Sequence, residues 1–573
     1  MISFLRPLLP LFCAVLPICP GWAEQETPQP PGAANLTGGN MGVPAAPAPG
    51  EWATYPCGGL TMLVATSSSE AQRHVLNGIA CLLTFWDDAA YREFRKAIKL
   101  DPSCMMAQWG LALSCITPHH EHEARKEQAL QNIRLQLELG QLPSRELEYG
   151  RALVTLLKNG SPDAAKVFLD IADNWKRDPW APLFAAMMLR DGFTDEGSPK
   201  PGQEQAQTLL DAYLTAHPST PAAWFMKALL QETNPTMGED ALQAVQKALE
   251  LVPGYPPALH LLGHIQFRRG DYKASEDSFA RAADAYTLWQ NEEKLSPADN
   301  EGLFRSLAYK AMARFCRGDE NGAIREAAKL ASRPVDTSRP RATGSLMQLW
   351  ETRTLPMRLA LSRYPWKGSR EIESVTPQTL DINPPSLSDG ITAACIQAAQ
   401  GKTALVNGNK KDLSSRLANL EKICTTLAQS GPKADEEGAV SHWVRSLELN
   451  DRLGLECKAL LYTDSAPIWL QSDVEQQRFS SLLMPPVLPY PAELRLAQWH
   501  ARKRDWVSCK NSCKEGLRRF PNHAALLALL QKAEQAAVNP GQVLPSSSSR
   551  PGKKTGKTKS SSSSKRTSTP SSK

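Results

Sequence analysis

The chain has 573 residues, of which 42 % are hydrophobic and 22 % charged, and it carries a formal net charge of +6. It is too long for one simple core, so several domains or one extended repeat array are expected. Between its proline-rich ends it is dominated by Ala, Leu, Glu, Gln and Lys, with few alternating β-branched runs. That composition points to an all-α fold and away from sheets.

In chain order, residues 1–23 read as a secretory signal. Arg6 supplies the positive start, Leu8 to Ile18 form a short apolar core, and Gly21 and Ala23 place small residues for cleavage. Ile18 precedes Cys19 where a lipoprotein signal needs a small residue. No later segment reaches the roughly 20 apolar residues of a membrane span. The expectation is export, in a bacterial pattern, to the periplasm, the cell envelope or the medium. Residues 24–66 form a linker, rich in Pro, Gly and Ala over most of its length and expected to be disordered. Ten cysteines follow the signal, and none forms a CxxC pair, which excludes zinc-ribbon and thioredoxin-type motifs. An oxidising compartment permits bridges among them.

The middle of the chain repeats. Gly78, Ala90, Phe94, Ala97 and Pro102 are separated by 12, 4, 3 and 5 residues. These are the gaps of a helix pair with small residues where the helices touch, an aromatic between them and a proline past the end. Ala241, Ala248 and Pro253 close a further unit. Gly263, Phe279 and Ala282 continue it, with the turn RRGDY between their helices. Weaker copies include Ala164 and Phe168; Ala206, Leu210 and Pro218; Leu307, Ala311 and Ala323; and Leu496, Ala497, Cys509, Cys513, Gly516 and Pro521. The period of about 34 residues resembles the tetratricopeptide repeat (TPR) and predicts an α-solenoid. Two helical arrays are expected: residues 67–333, and a module at 389–538. A proline-rich connection at 334–388 should join them, and the basic tail at 539–573 should be disordered.

Leu76 to Leu113 resembles the first repeat of a group of exported bacterial TPR proteins. Gly78, Phe85, Trp86, Ala90, Phe94, Asp101, Pro102, Cys104, Met106, Ala107, Trp109 and Gly110 match that group's pattern. Thr84 stands where the group often has His-Ser, so no histidine role carries over. The resemblance implies fold and export rather than a substrate. It also implies a bond between Cys57 and Cys104, which would stabilise the chain by about 2–4 kcal/mol.

Several motifs hint at chemistry, and each has a plainer reading. His119, Glu121 and Glu123, with His120 and His122, offer metal-ligand types, but neighbours on one short loop rarely converge on one ion, so a solvated polar loop or a helix start is expected. Arg269-Gly270-Asp271 and Arg317-Gly318-Asp319 fall on inter-helix turns, where glycine permits the bend and aspartate caps the next helix. Gly401-Lys402-Thr403 imitates a phosphate loop, yet Ile396 occupies the position of its first glycine. Cys509 and Cys513 share a helix face and read as packing residues, while Cys395, Cys424 and Cys457 lie on successive helices with pairing left open. Trp86, Trp109, Trp175, Trp180, Trp224 and Trp289 read as packing.

The tail carries Arg550, Lys553, Lys554, Lys557, Lys559, Lys565, Arg566 and Lys573 and no acid. Taking these eight and Arg6 from the formal +6 leaves −3 for the rest. Such a tail can be drawn to an anionic envelope polymer through residues 550–573, or simply keep the chain soluble. It lacks the interleaved aromatics of base stacking, so no specific nucleic acid is expected. With no nucleophile–base pair, metal signature or phosphate loop, neither a cofactor nor a catalytic site is assigned. The expected function is a scaffold that binds a protein or peptide in the groove lined by the first helices of successive repeats. The alternatives are an envelope adaptor held by the tail, and an enzyme.

Overall fold

Phe94 shows why the first repeat folds as it does. In the computed structural model, its ring is fully buried between two helices that approach because each offers a glycine. A Cβ on Gly78 would lie 2.7 Å from the Phe94 ring, and one on Gly110 would lie 2.0 Å from it. Ala90 and Ala97 on the same helix are fully buried as well. Gly263 and Phe279 repeat this arrangement, with a Cβ on Gly263 2.8 Å from the ring. Ala241, Ala248 and Ala282 are buried in the same way, while Pro102 and Pro253 follow the last helical residue of their units.

The structure describes residues 62–116, 120–336, 338–339, 342–363, 387–429, 437–477 and 486–538. The expected signal, the expected linker up to residue 61, and the whole tail lie outside them. The first array runs α1 (Ser69–Leu83), α2 (Asp87–Leu100), α3 (Met105–Ser114), α4 (Glu123–Leu139), α5 (Ser144–Asn159) and α6 (Ser161–Asn174). It continues with α7 (Ala181–Leu189), α8 (Pro201–Ala216), α9 (Pro221–Leu230), α10 (Glu239–Leu251), α11 (Pro256–Arg268) and α12 (Tyr272–Glu292). Then come α13 (Glu301–Cys316), α14 (Glu320–Ala331), α15 (Thr343–Met347), a π-helical turn Gln348–Thr352, and α16 (Arg353–Ser362). The C-terminal helices are α17 (Leu387–Val406), α18 (Lys410–Gln429), α19 (Glu437–Leu461), α20 (Ala466–Gln477), α21 (Ala492–Arg502), α22 (Trp506–Arg519) and α23 (Ala524–Val538). Among the described residues the only extended pairing is one bridge between Phe193 and Pro199. The fold is an all-α TPR solenoid.

Three stretches differ from expectation. The last residues assigned to the linker are packed: Met62 and Val64 are buried, and Ala65 N donates to Glu146 at 2.6 Å. Past Ala282 the repeat spacing is interrupted, because α12 runs on to Glu292 and α13 begins only at Glu301. The proline-rich connection begins with helix, because α15, the π turn and α16 are buried almost throughout. One apolar core extends from Met62 to Leu303 and a second from Phe267 to Ala533, so the two interleave around α11–α13. The C-terminal helices return onto the inter-helix turns of the array. Gly270 has φ +79°, and any Cβ there would lie 2.2 Å from the Pro521 carbonyl oxygen, so both the bend and the space demand glycine.

Candidate functional site

Several first helices of the N-terminal array, though not α5, are buried on most sides. In α3, nine of ten residues are buried, and α7, α9 and α11 are buried on almost all faces. Such helices need partners all round, and they find them in one another: α1 packs on α7 and α9 as well as on its sequence neighbours. Trp86 closes the turn. Its ring lies 5.6 Å from Tyr255, 5.7 Å from Tyr286 and 4.8 Å from Trp289. Thr84 Oγ1 and the Tyr255 hydroxyl are 2.6 Å apart. The groove expected along the first helices is therefore filled by the array's own side chains.

The accessible concavity is on the outer side. The buried face of α2 uses Ala89, Ala90, Glu93, Phe94 and Ala97, so Arg92, Arg95, Lys96 and Lys99 fall together on its opposite flank. α4 buries Ala129, Leu130 and Ile133 and turns Arg125, Gln128 and Asn132 toward that flank. Between them lies a cleft of about 600 Å³, floored by Ile98, Pro102 and Leu111. A second hollow of about 570 Å³ continues from it past Tyr91 and His122 to Asp299 and Arg339. Both volumes lie within the range of ligand sites.

Part of the positive charge is neutralised by residues far along the chain. Arg92 meets Asp299 at 3.0 Å, Lys96 meets Glu293 at 3.0 Å, and Arg339 bridges Asp299 at 2.7 Å and Glu121 at 2.6 Å. Burial raises the Asp299 carboxyl, but the two arginines outweigh it and hold the group below its usual range. Under the cleft, Glu93 accepts from His74 at 2.8 Å and from Lys96 at 2.8 Å, which lowers it against the opposing effect of burial. Arg95, Lys99 and Arg125 make no ion pair with any carboxylate among the described residues. Arg125 donates to the Tyr91 hydroxyl at 2.6 Å, and Arg95 lies 5.6 Å from the Tyr91 ring centre. The cleft thus carries a positive excess that favours negatively charged groups.

The motifs singled out in the sequence lie elsewhere, apart from the histidine turn at the rim. The histidine turn is a helix start: His120–His122 form a 3-10 turn leading into α4, the His122 ring stacks on Tyr91 at 3.9 Å, and Glu121 is tied to Arg339. His119 lies outside the described residues, and no cluster of metal-ligating residues is found among those described. Asp319 caps α14 by accepting from Gly322 N at 2.9 Å. Asp271 makes no such cap; it faces Arg269 at 3.6 Å instead, a departure from expectation. Gly401, Lys402 and Thr403 sit inside α17, where Lys402 is buried and donates to Glu456 at 2.7 Å.

Cys57, the implied partner of Cys104, lies outside the described residues. Cys104 is buried where α3 begins, and burial pushes its thiol up to about 11. Cys395, Cys424, Cys457, Cys509 and Cys513 are free thiols, and both Cys509 and Cys513 are fully buried. Trp109, Trp180 and Trp289 are buried like Trp86, and Trp175 and Trp224 are half-buried. The sequence reading missed the stripe Arg92, Arg95, Lys96 and Lys99, although its spacing of 3, 1 and 3 is a local helical signal. Arg125 and Arg339 carry no such signal.

A tetratricopeptide-repeat family model matches residues 204–256, which cover most of α8 together with α9, α10 and the first residue of α11. No curated protein matches the chain. Solved structures with similar helical stacking include the human IFIT1 dimer with m7Gppp-AAAA, 11 % identical over 83 % of this chain and 92 % of that one, TM-score 0.32. The P58(IPK) TPR domain is 11 % identical over 83 % of this chain and all of that one, TM-score 0.21. The Naa15/Naa10 structure bound to HypK-THB is 11 % identical over 82 % and 91 %, TM-score 0.20. By the family model, a tetratricopeptide repeat lies in the middle of the N-terminal array.

Proposed function

We propose that this chain is an exported TPR scaffold, of the bacterial kind its first repeat resembles, that binds a protein or peptide partner on the outer cleft between α2 and α4. Repeats of this kind generally serve as interaction surfaces rather than catalysts, and the reading assigns no catalytic group. One observation carries it: the inner face of the array is filled, while the outer cleft is open and holds cations without carboxylate partners. Export is supported by residues 1–23, and contact with an anionic envelope polymer by the eight cations of the tail.

In-cell photo-crosslinking tests the reading. A photoreactive residue at Gln128, in the cleft wall, should trap a discrete partner, and the same residue at exposed Lys176 should not. No adduct at Gln128 across several growth conditions would count against the scaffold. Export predicts a mature chain beginning at Glu24 by N-terminal sequencing, and an intact Met1 would contradict it. Deleting residues 540–573 should release the chain from the envelope if the tail holds it there, and unchanged association would remove that role.

A further inference from the structure

We infer that the outer cleft recognises an extended acidic segment of a partner protein, with Asp or Glu at alternate positions. The inference rests on the scaffold reading and names the chemistry of its ligand.

Charge patterning supports it first. Elsewhere on the described surface, helical cations commonly sit beside an acid three or four residues away, as in Lys126–Glu123, Lys166–Asp163 and Lys247–Glu250. On the outer flank of α2, Arg95 and Lys99 have only cations as charged neighbours at that spacing: Arg92 and Lys99 beside Arg95, and Arg95 and Lys96 beside Lys99. Like charges so placed repel each other. Lys96 has Glu93 on its own helix and Glu293 from farther along the chain, and Arg92 pairs with Asp299. Arg95, Lys99 and Arg125 face the opening without a carboxylate. An external anion completes a pattern that the chain's own acids only half satisfy.

Spacing selects the form of that anion. Arg95 and Lys99 are four residues apart, about 6 Å along the helix axis. Side chains two residues apart on one face of an extended peptide are about 6.6 Å apart. Alternate carboxylates therefore match the two cations in one register.

The walls favour a peptide over other polyanions. Gln108, Gln128 and Asn132 offer amides for backbone hydrogen bonds, and Ile98, Pro102 and Leu111 offer an apolar floor. A nucleic acid would need an open aromatic face, but the Tyr91 ring is already covered by His122 at 3.9 Å. The chain's own tail cannot be the occupant, because its charges are all positive.

Fluorescence anisotropy with the full chain tests this, using a labelled peptide with glutamate at alternate positions (Glu-Ala-Glu-Ala-Glu) and a glutamine counterpart. The glutamate peptide should bind and the glutamine peptide should not. Arg95→Glu/Lys99→Glu should weaken binding at least tenfold with an unchanged melting temperature, and Arg125→Gln should weaken it less. Carbodiimide coupling should attach the glutamate peptide to Lys99. Equal affinity in the double variant, or adducts confined to the tail lysines, would overturn the inference. A natural partner that still crosslinks at Gln128 in the double variant would overturn it too, while leaving the scaffold reading in place.

Discussion

The two ends of the molecule solve the same packing problem with opposite materials. The N-terminal array is held by small residues against aromatic rings and closes on itself through Trp86, Tyr255, Tyr286 and Trp289. The C-terminal half buries charge. Trp350 lies between the guanidinium groups of Arg358 and Arg445, 4.5 and 4.6 Å from its ring, and both arginines pair with the fully buried Glu351. Tyr490 repeats the motif between Arg452 and Arg495, which pair with Asp473 and Glu456. Apolar contacts tolerate pH and salt, whereas a buried ion pair is costly to break from one side. The comparison predicts that acid and single-charge substitutions act on the C-terminal half, and volume changes act on the N-terminal half.

The largest effect should come from Glu351→Gln. It leaves two buried guanidinium groups without their carboxylate and should cost about 3–5 kcal/mol in denaturant melts. A loss under about 1 kcal/mol would break the comparison.

Acid comes next. Burial raises Glu456, but Arg495 and Lys402 outweigh it and hold the group at about 2, against 4.5 unfolded. A carboxylate lowered on folding contributes stability above its unfolded value and loses it as pH falls toward the folded one. The C-terminal half should therefore loosen between about pH 4.5 and 2, with a contribution of about 3 kcal/mol. Exchange of α17–α21 amides should rise in that window before exchange of α1–α3. The reverse order would contradict the assignment.

Gly110→Ala should cost about 1–3 kcal/mol by overpacking, because its methyl would lie 2.0 Å from Phe94. Phe94→Leu in the same chain should recover part of the loss, and additive losses would show that the two do not touch. Lys99→Ala, on the exposed flank of α2, should change stability by less than about 0.5 kcal/mol.

What the sequence revealed follows the reach of each signal. Gly78, Ala90, Phe94 and Pro102 act within one helix pair, so their spacing showed the repeat directly. Tyr255 and Trp289 meet Trp86 only after several helix pairs have turned the array, and no local pattern announces that. The same holds for the cleft. The stripe on α2 was present in the sequence, but Asp299 and Arg339 join it only through closure. Lys402 shows the same limit: Ile396 argued against a phosphate loop from the sequence alone, but the lysine's partner Glu456 lies 54 residues away on another helix and no local pattern names it.

Hydrogen exchange of the full chain, with and without the alternating glutamate peptide, tests the central claim most directly. Closure predicts that α1, α7 and α9 are already protected without peptide, and that added protection is confined to α2, α4 and the turn near Asp299. Strong new protection on α1, α7 and α9, with α2 and α4 unchanged, would mean that the inner groove opens to ligand and that the outer cleft is not the site.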